Sequence, residues 1–422
     1  MAALASVPVA ARQGPRLPPA LDELTAGLTL RQESFTLETL PAIPPIELRF
    51  FLKPGPEDRA ERLVDRTRSV LVRLSEWYGA LPLSQLTIID APWNSPWVGA
   101  SYPGTVVTST RWISIEREAS AERSLIAALA RQYWQGVQSP DPQHGWFEEA
   151  LVLYSGARAI DEELEGRQFW SRRYLGGFIP FAIRSIPLSS PAAEMRPRLR
   201  HFEELDRPDE AVWRRANVDA GSPAQQAATA LYSLERYLGW PAMQQGLEGY
   251  RDRFRAGAGT PTGLVTVMSE QRGRDLSWFF NEAFRFPARF DYGIEAFSSV
   301  PDGSKHRIVL KLRRYGDAVF AGSAEPRERS AARALAVSIR LEDGTDLREW
   351  WDGRDATLDL EYLSVSPAVM ASVDPEAVLL LDADPANNTR ALRRTAHPNG
   401  ARHTLSWLIW LQDLVLTYSS LL

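Results

Sequence analysis

Side chains able to do chemistry are few in these 422 residues. The five histidines, at 144, 201, 306, 397 and 403, show no HxxxH or HxH spacing that would turn two imidazoles toward one metal ion. His144, next to Gly145-Trp146, reads as a surface hydrogen-bonding residue. There is no cysteine, which excludes thiolate zinc sites, iron-sulfur clusters, disulfides and cysteine nucleophiles together. No GxSxG elbow and no Gly-rich phosphate loop occurs. The run DADPANN at 382–388 is rich in oxygen ligands but lacks the Gly and the closing Glu of an EF-hand, so it reads as a turn after a last strand. The stretch LIAALARQYWQGVQSPDPQHGWFEEALVLY (125–154) carries Arg131 and, downstream, the adjacent carboxylates Glu148 and Glu149.

Those residues need elements to hold them. EDRAERLVDRTRSVLVRLSEWY (57–78) spaces Leu63, Val70, Leu71, Leu74 and Trp77 as the buried stripe of a helix, which Gly79 ends. Before it, IELRFFLKPG reads as the one convincing strand of the first 56 residues. SQLTIIDAP and TVVTSTRWISI have the β-branched density of strands, and WNSPWVGASYPG between them reads as a loop. From about 119 to 286 the pattern is helical, including AQQAATALYSLERYLG, PAMQQGLEGYRDRF and RDLSWFFNEAF. After Pro287, short alternating runs, AVLLLD the last of them, and Asp-Gly turns predict a β-sandwich.

Four segments in this order carry a resemblance. ALARQYW with WFEEALVLY, GASYPGTVV, LYSLERYLGWPAMQQGLEGY and GRDLSWFF resemble the ligand helices, the GxMEN-type strand and the later helices of the M1 family of zinc aminopeptidases. The resemblance covers about 46–286. It implies a thermolysin-like core, a helical region and an Ig-like sandwich after it. Its catalytic zinc would need two His one helical turn apart and a Glu from the next helix, leaving a fourth position for water. On this chain the two His positions fall on Ala127 and Arg131, the general base on Ala128, the amine-anchoring acid on Ser101, and the transition-state Tyr on or near Ala224. The third ligand falls on Glu149, with Glu148 as an alternative because the interval from Arg131 is one residue short. A carboxylate robbed of its metal in a half-buried site needs another cation, so the resemblance leads us to expect Arg131 to pair with Glu149 or Glu148. By the same resemblance, the rings of Trp93, Trp97, Tyr102, Tyr133, Trp134 and Trp146 would surround the family's substrate groove. They are either core packing or, where exposed, a peptide-binding or protein-binding patch.

The net charge of -5 and the scattered basic residues give a nucleic acid nothing to hold. Only Lys53, Lys305 and Lys311 are not Arg among the basic residues, a bias typical of a GC-rich bacterial genome. In TLSWLIWLQDLVLTYSSLL, Ser406, Asp413, Thr417 and Ser420 form one narrow polar stripe, and Trp407, Leu408, Trp410, Leu411 and Leu414 cover the rest. This reads as a helix in a membrane interface near Arg390, Arg393, Arg394 and Arg402, or as a helix docked on protein. The expectation is an α+β multidomain chain: a Pro-rich arm and strand at 1–56, a thermolysin-like M1-type core and helical region without zinc ligands at 57–286, an Ig-like sandwich at 287–396, and an apolar C-terminal helix at 397–422. No cofactor is expected. The expected role is that of a non-catalytic accessory or scaffold subunit, peripheral on a membrane and, with no signal peptide evident, on its cytoplasmic side. The alternative is a residual hydrolase or peptide-binding protein.

Overall fold

The computed structural model describes residues 24–36, 45–55, 57–81, 83–92, 94–109, 115–137, 145–163, 221–285, 289–320 and 335–392. The Pro-rich arm, Trp93, His144 and the apolar C-terminal segment with Trp407, Leu408, Trp410, Leu411 and Leu414 lie outside them.

A five-stranded sheet, in the order β1-β2-β3-β5-β4, opens the fold. Its strands are β1 (Thr29–Phe35), β2 (Ile46–Leu52), β3 (Gln85–Asp90), β4 (Ser101–Tyr102) and β5 (Thr105–Thr108). β2, β3 and β5 run parallel, with β1 and β4 antiparallel at the edges. Helix α1 (Glu57–Tyr78) makes the crossover from β2 to β3. The residues read as its stripe, Leu63, Val70, Leu71, Leu74 and Trp77, are all buried, against Leu48 and Phe50 of β2, Leu86 and Ile88 of β3 and Val106 of β5. The opposite face of the sheet carries a smaller apolar cluster of Ile89, Ala91 and Val107, flanked by Leu24, Leu28, Phe51, Trp97, Val98 and Ala100.

Helix α1 has no basic residue in its last turn. Its C-terminus is held instead from far along the chain. Gly79 takes φ 78°, a left-handed conformation that suits glycine, and Arg251 donates to the carbonyls of Tyr78 and Ala80, and through Nε to that of Tyr133 at 3.1 Å. Burial pulls the Arg251 guanidinium below its ordinary pKa, and three carbonyls meet its charge in place of a carboxylate. At the carboxyl ends of the three parallel strands, Lys53 sits 3.1 Å from Asp90 Oδ1 and donates to Ala91 O and Ser109 Oγ.

Helices α2 (Ile115–Trp134), α3 (Gly145–Glu163), α4 (Gly221–Leu238), α5 (Trp240–Arg253) and α6 (Pro261–Arg272) follow. Then α7 (Ser277–Phe280) runs into a π-helical turn, Asn281–Arg285. Antiparallel sheets of three strands (β10-β7-β6) and four (β12-β11-β8-β9) come next, from β6 (Tyr292–Asp302), β7 (Lys305–Arg314), β8 (Leu335–Leu341), β9 (Asp346–Trp351), β10 (Thr357–Ser364), β11 (Ala368–Val373) and β12 (Thr389–Ala391). β7 shows the alternation that makes such a sheet, Ile308, Leu310 and Leu312 buried, and Arg307, Lys311 and Arg313 exposed. Tyr292 of one sheet and Trp351 of the other meet edge to face, with ring centroids 5.2 Å apart.

Three sequence expectations are corrected. TLRQESF forms strand β1, although its polar composition gives no strand signal. The run TVVTSTRWISI is a strand only to Thr108, and α2 already begins at Ile115. AVLLLD is not a strand: the two Asp374 carboxylate oxygens accept from the Val378 and Leu379 N–H groups, Leu380 N donates to Ser233 of α4, and Leu379 and Leu380 are thereby buried in a loop.

Candidate functional site

Helices α2 and α3 bring the singled-out charges together for a reason visible in each. Arg131 lies in the last turn of α2 and Glu148 in the first turn of α3. Each charge therefore sits at the helix end whose dipole favours its sign, a contribution of about 0.3–1 kcal/mol apiece. Those two ends lie side by side. Arg131 Nη2 donates to Glu149 Oε2, while Nη1 stands 4.0 Å from Glu148 Oε1. The three side chains are 23%, 31% and 27% exposed, so the pair is neither open surface nor deep core. Burial, with the neighbouring Glu149 charge, pushes the Glu148 carboxyl above the usual carboxylate range, against a smaller downward pull from Arg131.

Ala127 backs onto Gly156 of α3, where an added Cβ would lie 3.4 Å from Ala127 Cα, so the helices are in close contact at this point. Ala128 is buried and its carbonyl accepts from Ser101 Oγ at 3.1 Å. Ser101 is drawn down onto α2. Its hydroxyl also accepts from Gln132 Nε2 at 2.7 Å, and Gln132 bonds Tyr102 O at 2.8 Å and Gly104 N at 2.9 Å. Gln135 adds a bond from Nε2 to Ser101 O at 3.3 Å. The edge strand β4 is thus sewn to the helix by side chains. Ala224 is fully buried in α4, where its methyl offers no polar atom.

Of the rings read as groove candidates, Tyr133, Trp134 and Trp146 belong to the core instead. Tyr133 Oη meets Ser75 Oγ at 2.6 Å, and burial raises its pKa. Trp134 Nε1 donates to Ser155 Oγ at 2.9 Å, and Trp146 packs on Phe147 and Phe284. Tyr102 and Trp97 are half-buried.

A second charged cluster escaped sequence reading. Arg158 of α3 donates to Glu235 of α4, and its guanidinium lies 3.5 Å from the centroid of Trp240. Tyr154 Oη donates to the other Glu235 oxygen at 2.5 Å, and Glu162 accepts from Arg158 at 2.9 Å. The spacing of four between Tyr154, Arg158 and Glu162, one face of a helix, was the available signal.

The DADPANN loop is a hydrogen-bonded turn. Asp382 accepts from Asp384 N at 3.0 Å and Asn388 Nδ2 at 2.9 Å, and Asn387 Nδ2 donates to Asp291 at 2.9 Å. Burial, with the nearby Asp291, pushes Asp382 up to about 6. Among the described residues no three His, Asp or Glu side chains gather in a way that could hold a metal ion. The α2/α3 site does not fit zinc on its own chemistry either. Positions 127 and 128 are methyl groups without lone pairs, and position 131 is a cation already in contact with Glu149 and 4.0 Å from Glu148, the two carboxylates that could ligate.

No family model and no curated protein matches this chain. Among solved structures it is similar to aminopeptidase A of Legionella pneumophila in complex with aspartic acid, at a TM-score of 0.49 and 11% identity over 79% of this chain and 36% of that one. It is similar also to a point mutant of an M1 zinc metallopeptidase from Deinococcus radiodurans, at a TM-score of 0.42 and 19% identity over 61% of this chain and 52% of that one. The chain therefore spans about a third and about half of the length of these two enzymes. At such scores the likeness is one of outline, and what the site can do rests on its own residues.

Proposed function

We propose that this chain is a zinc-less M1-aminopeptidase-like protein that binds rather than cleaves, an accessory or scaffold subunit of a membrane-associated assembly. The observation that carries the reading is the contact of Arg131 with Glu149. A guanidinium where a second zinc-binding imidazole would stand supplies the positive charge that the remaining carboxylate needs, and it supplies no open coordination position for a water. With Ala127 and Ala128 beside it, the site has neither a Lewis acid nor a general base next to one. The sandwich fits the role of an Ig-like bracing domain. Attachment to the membrane is assigned to residues 404–422, on the cytoplasmic side.

Two assays test this. Protein purified without chelator and supplied with zinc is expected to leave aminoacyl amides intact. Hydrolysis that disappears in Glu149→Gln would overturn the reading and favour a residual hydrolase. Deleting residues 404–422 is expected to move the protein from the membrane fraction into the supernatant, and unchanged membrane recovery would count against the assigned anchor.

A further inference from the structure

Strand β1 ends the five-stranded sheet, and among the described residues nothing bonds to the outward-facing N–H and C=O groups of Thr29–Phe35. Edge strands are commonly guarded by proline, lysine, a bulge or inward-pointing charges. β1 has no proline, lysine or bulge, its two inward charges, Arg31 and Glu33, are of opposite sign, and TLRQESF pairs with β2 in unbroken register over its full seven residues. Leu30 on its outer end is 46% exposed.

We propose that β1 pairs antiparallel with β1 of a second copy of this chain, centred on Gln32, to make one continuous sheet. A two-fold axis normal to a sheet keeps every side chain on its own face, so a strand paired with its own copy must be centred on a residue. Centring on Gln32 uses the whole strand and sets Arg31 opposite Glu33 of the copy, twice. Within one chain those two side chains already belong to an ion-pair row on the α1 side of the sheet, Arg31 with Glu33 and with Glu61 at 2.8 Å, and Arg68 with Glu33. Pairing extends this row across the axis. Leu30 then faces Ser34 of the copy on the other side.

The other long edges lack this complementarity. β6 ends its sheet too, but it carries Pro301 and a bulge at Ile294/Ala296, and its Ile294 N–H and Glu295 C=O are taken by Asn387 O and Arg390. β9 and β10 also end their sheets. In β9 the two registers of greatest overlap are centred on Arg348 or Glu349, each of which opposes a charge to its own copy. In β10, centring on Leu360 sets Asp359 against Glu361, and centring on Glu361 sets that residue against itself. Like charges directly opposite are destabilising. A second copy is therefore accepted by β1 and rejected by β9 and β10.

The absence of cysteine gives a clean test, because any disulfide must come from an introduced thiol. In the full chain, Gln32→Cys is expected to oxidise to a covalent dimer, since directly opposite strand residues lie within disulfide reach. Leu30→Cys alone is expected to stay uncrosslinked, and Leu30→Cys with Ser34→Cys to crosslink. By sedimentation the unaltered chain is expected to dimerise reversibly. Arg31→Glu should weaken the dimer by roughly tenfold or more, and Arg31→Glu with Glu33→Arg should restore it. An unaltered chain that stays monomeric at its highest attainable concentration, together with an uncrosslinked Gln32→Cys, would overturn the proposal. Crosslinking of Leu30→Cys alone as efficiently as Gln32→Cys would overturn the register.

Discussion

Two arginines on neighbouring helices each meet a glutamate across a helix interface, and their surroundings differ. Arg158 and Glu235 are 15% and 12% exposed, with Trp240 stacked on the cation and Tyr154 donating to the anion. Arg131 and Glu149 are 23% and 31% exposed and share one contact, with Glu148 standing off at 4.0 Å. The first pair joins α3 to α4 and α5, with both Glu235 oxygens and both Arg158 Nη atoms bonded and Nε alone buried without an acceptor among the described residues. The second has the form of a plug in a site, in which the charges neutralise each other and little else depends on them. Stability should therefore follow the first pair and ligand chemistry the second.

The sharpest way to break this contrast is Glu235→Ala, which leaves Arg158 with Glu162 alone and Tyr154 without its acceptor. We expect a loss of about 3–5 kcal/mol in urea unfolding. A loss no larger than that of an exposed pair would erase the distinction. Arg251→Met asks whether burial alone, without a carboxylate, sets the cost of losing an arginine. Three carbonyls lose a charged donor, and the expected loss is about 3 kcal/mol. Arg131→Ala is expected to cost about 1 kcal/mol or less in the same experiment, because the pair is half-exposed and singly bonded. A large loss there would make the plug a pillar.

The smallest effect is in pH dependence. The Glu148 carboxyl is raised in the folded chain, so the folded chain holds its proton over a range where the unfolded chain has released it. This contribution to stability is present below the ordinary carboxylate pKa and is lost as pH rises through the raised one. Glu148→Gln should flatten that part of the stability profile, and an unchanged profile would remove Glu148 from the electrostatics of the site.

What could be read from the sequence was what repeats locally. The apolar stripe of α1 gave both the helix and its buried face, whereas the expectation that Arg131 meets Glu149 or Glu148 came from the family resemblance and from no spacing in the chain itself. The rest depended on partners distant in the chain. Strand β1 alternates Gln, Glu and Arg with little apolar content, because one of its faces meets solvent and the other an ion-pair row. Gln132 is buried because β4 folds over it, and no local pattern marks a buried glutamine. Tyr133 and Trp134, which the resemblance left open between groove and core packing, are both buried in the core. AVLLLD has the composition of a strand, and an Asp374 cap with a bond to Ser233 makes it a docked loop.

The measurement that bears most directly on a site closed by an ion pair is zinc bound per chain after zinc is added and the excess removed. It should be made on the native protein and on the variant carrying Ala127→His, Ala128→Glu and Arg131→His. We expect no retained zinc on the native chain and one ion on the variant, whose two imidazoles would join Glu149 in a three-ligand set. Near-stoichiometric zinc on the native chain, or none on a folded variant, would contradict the assignment of Ala127, Arg131 and Glu149 to a lost metal site.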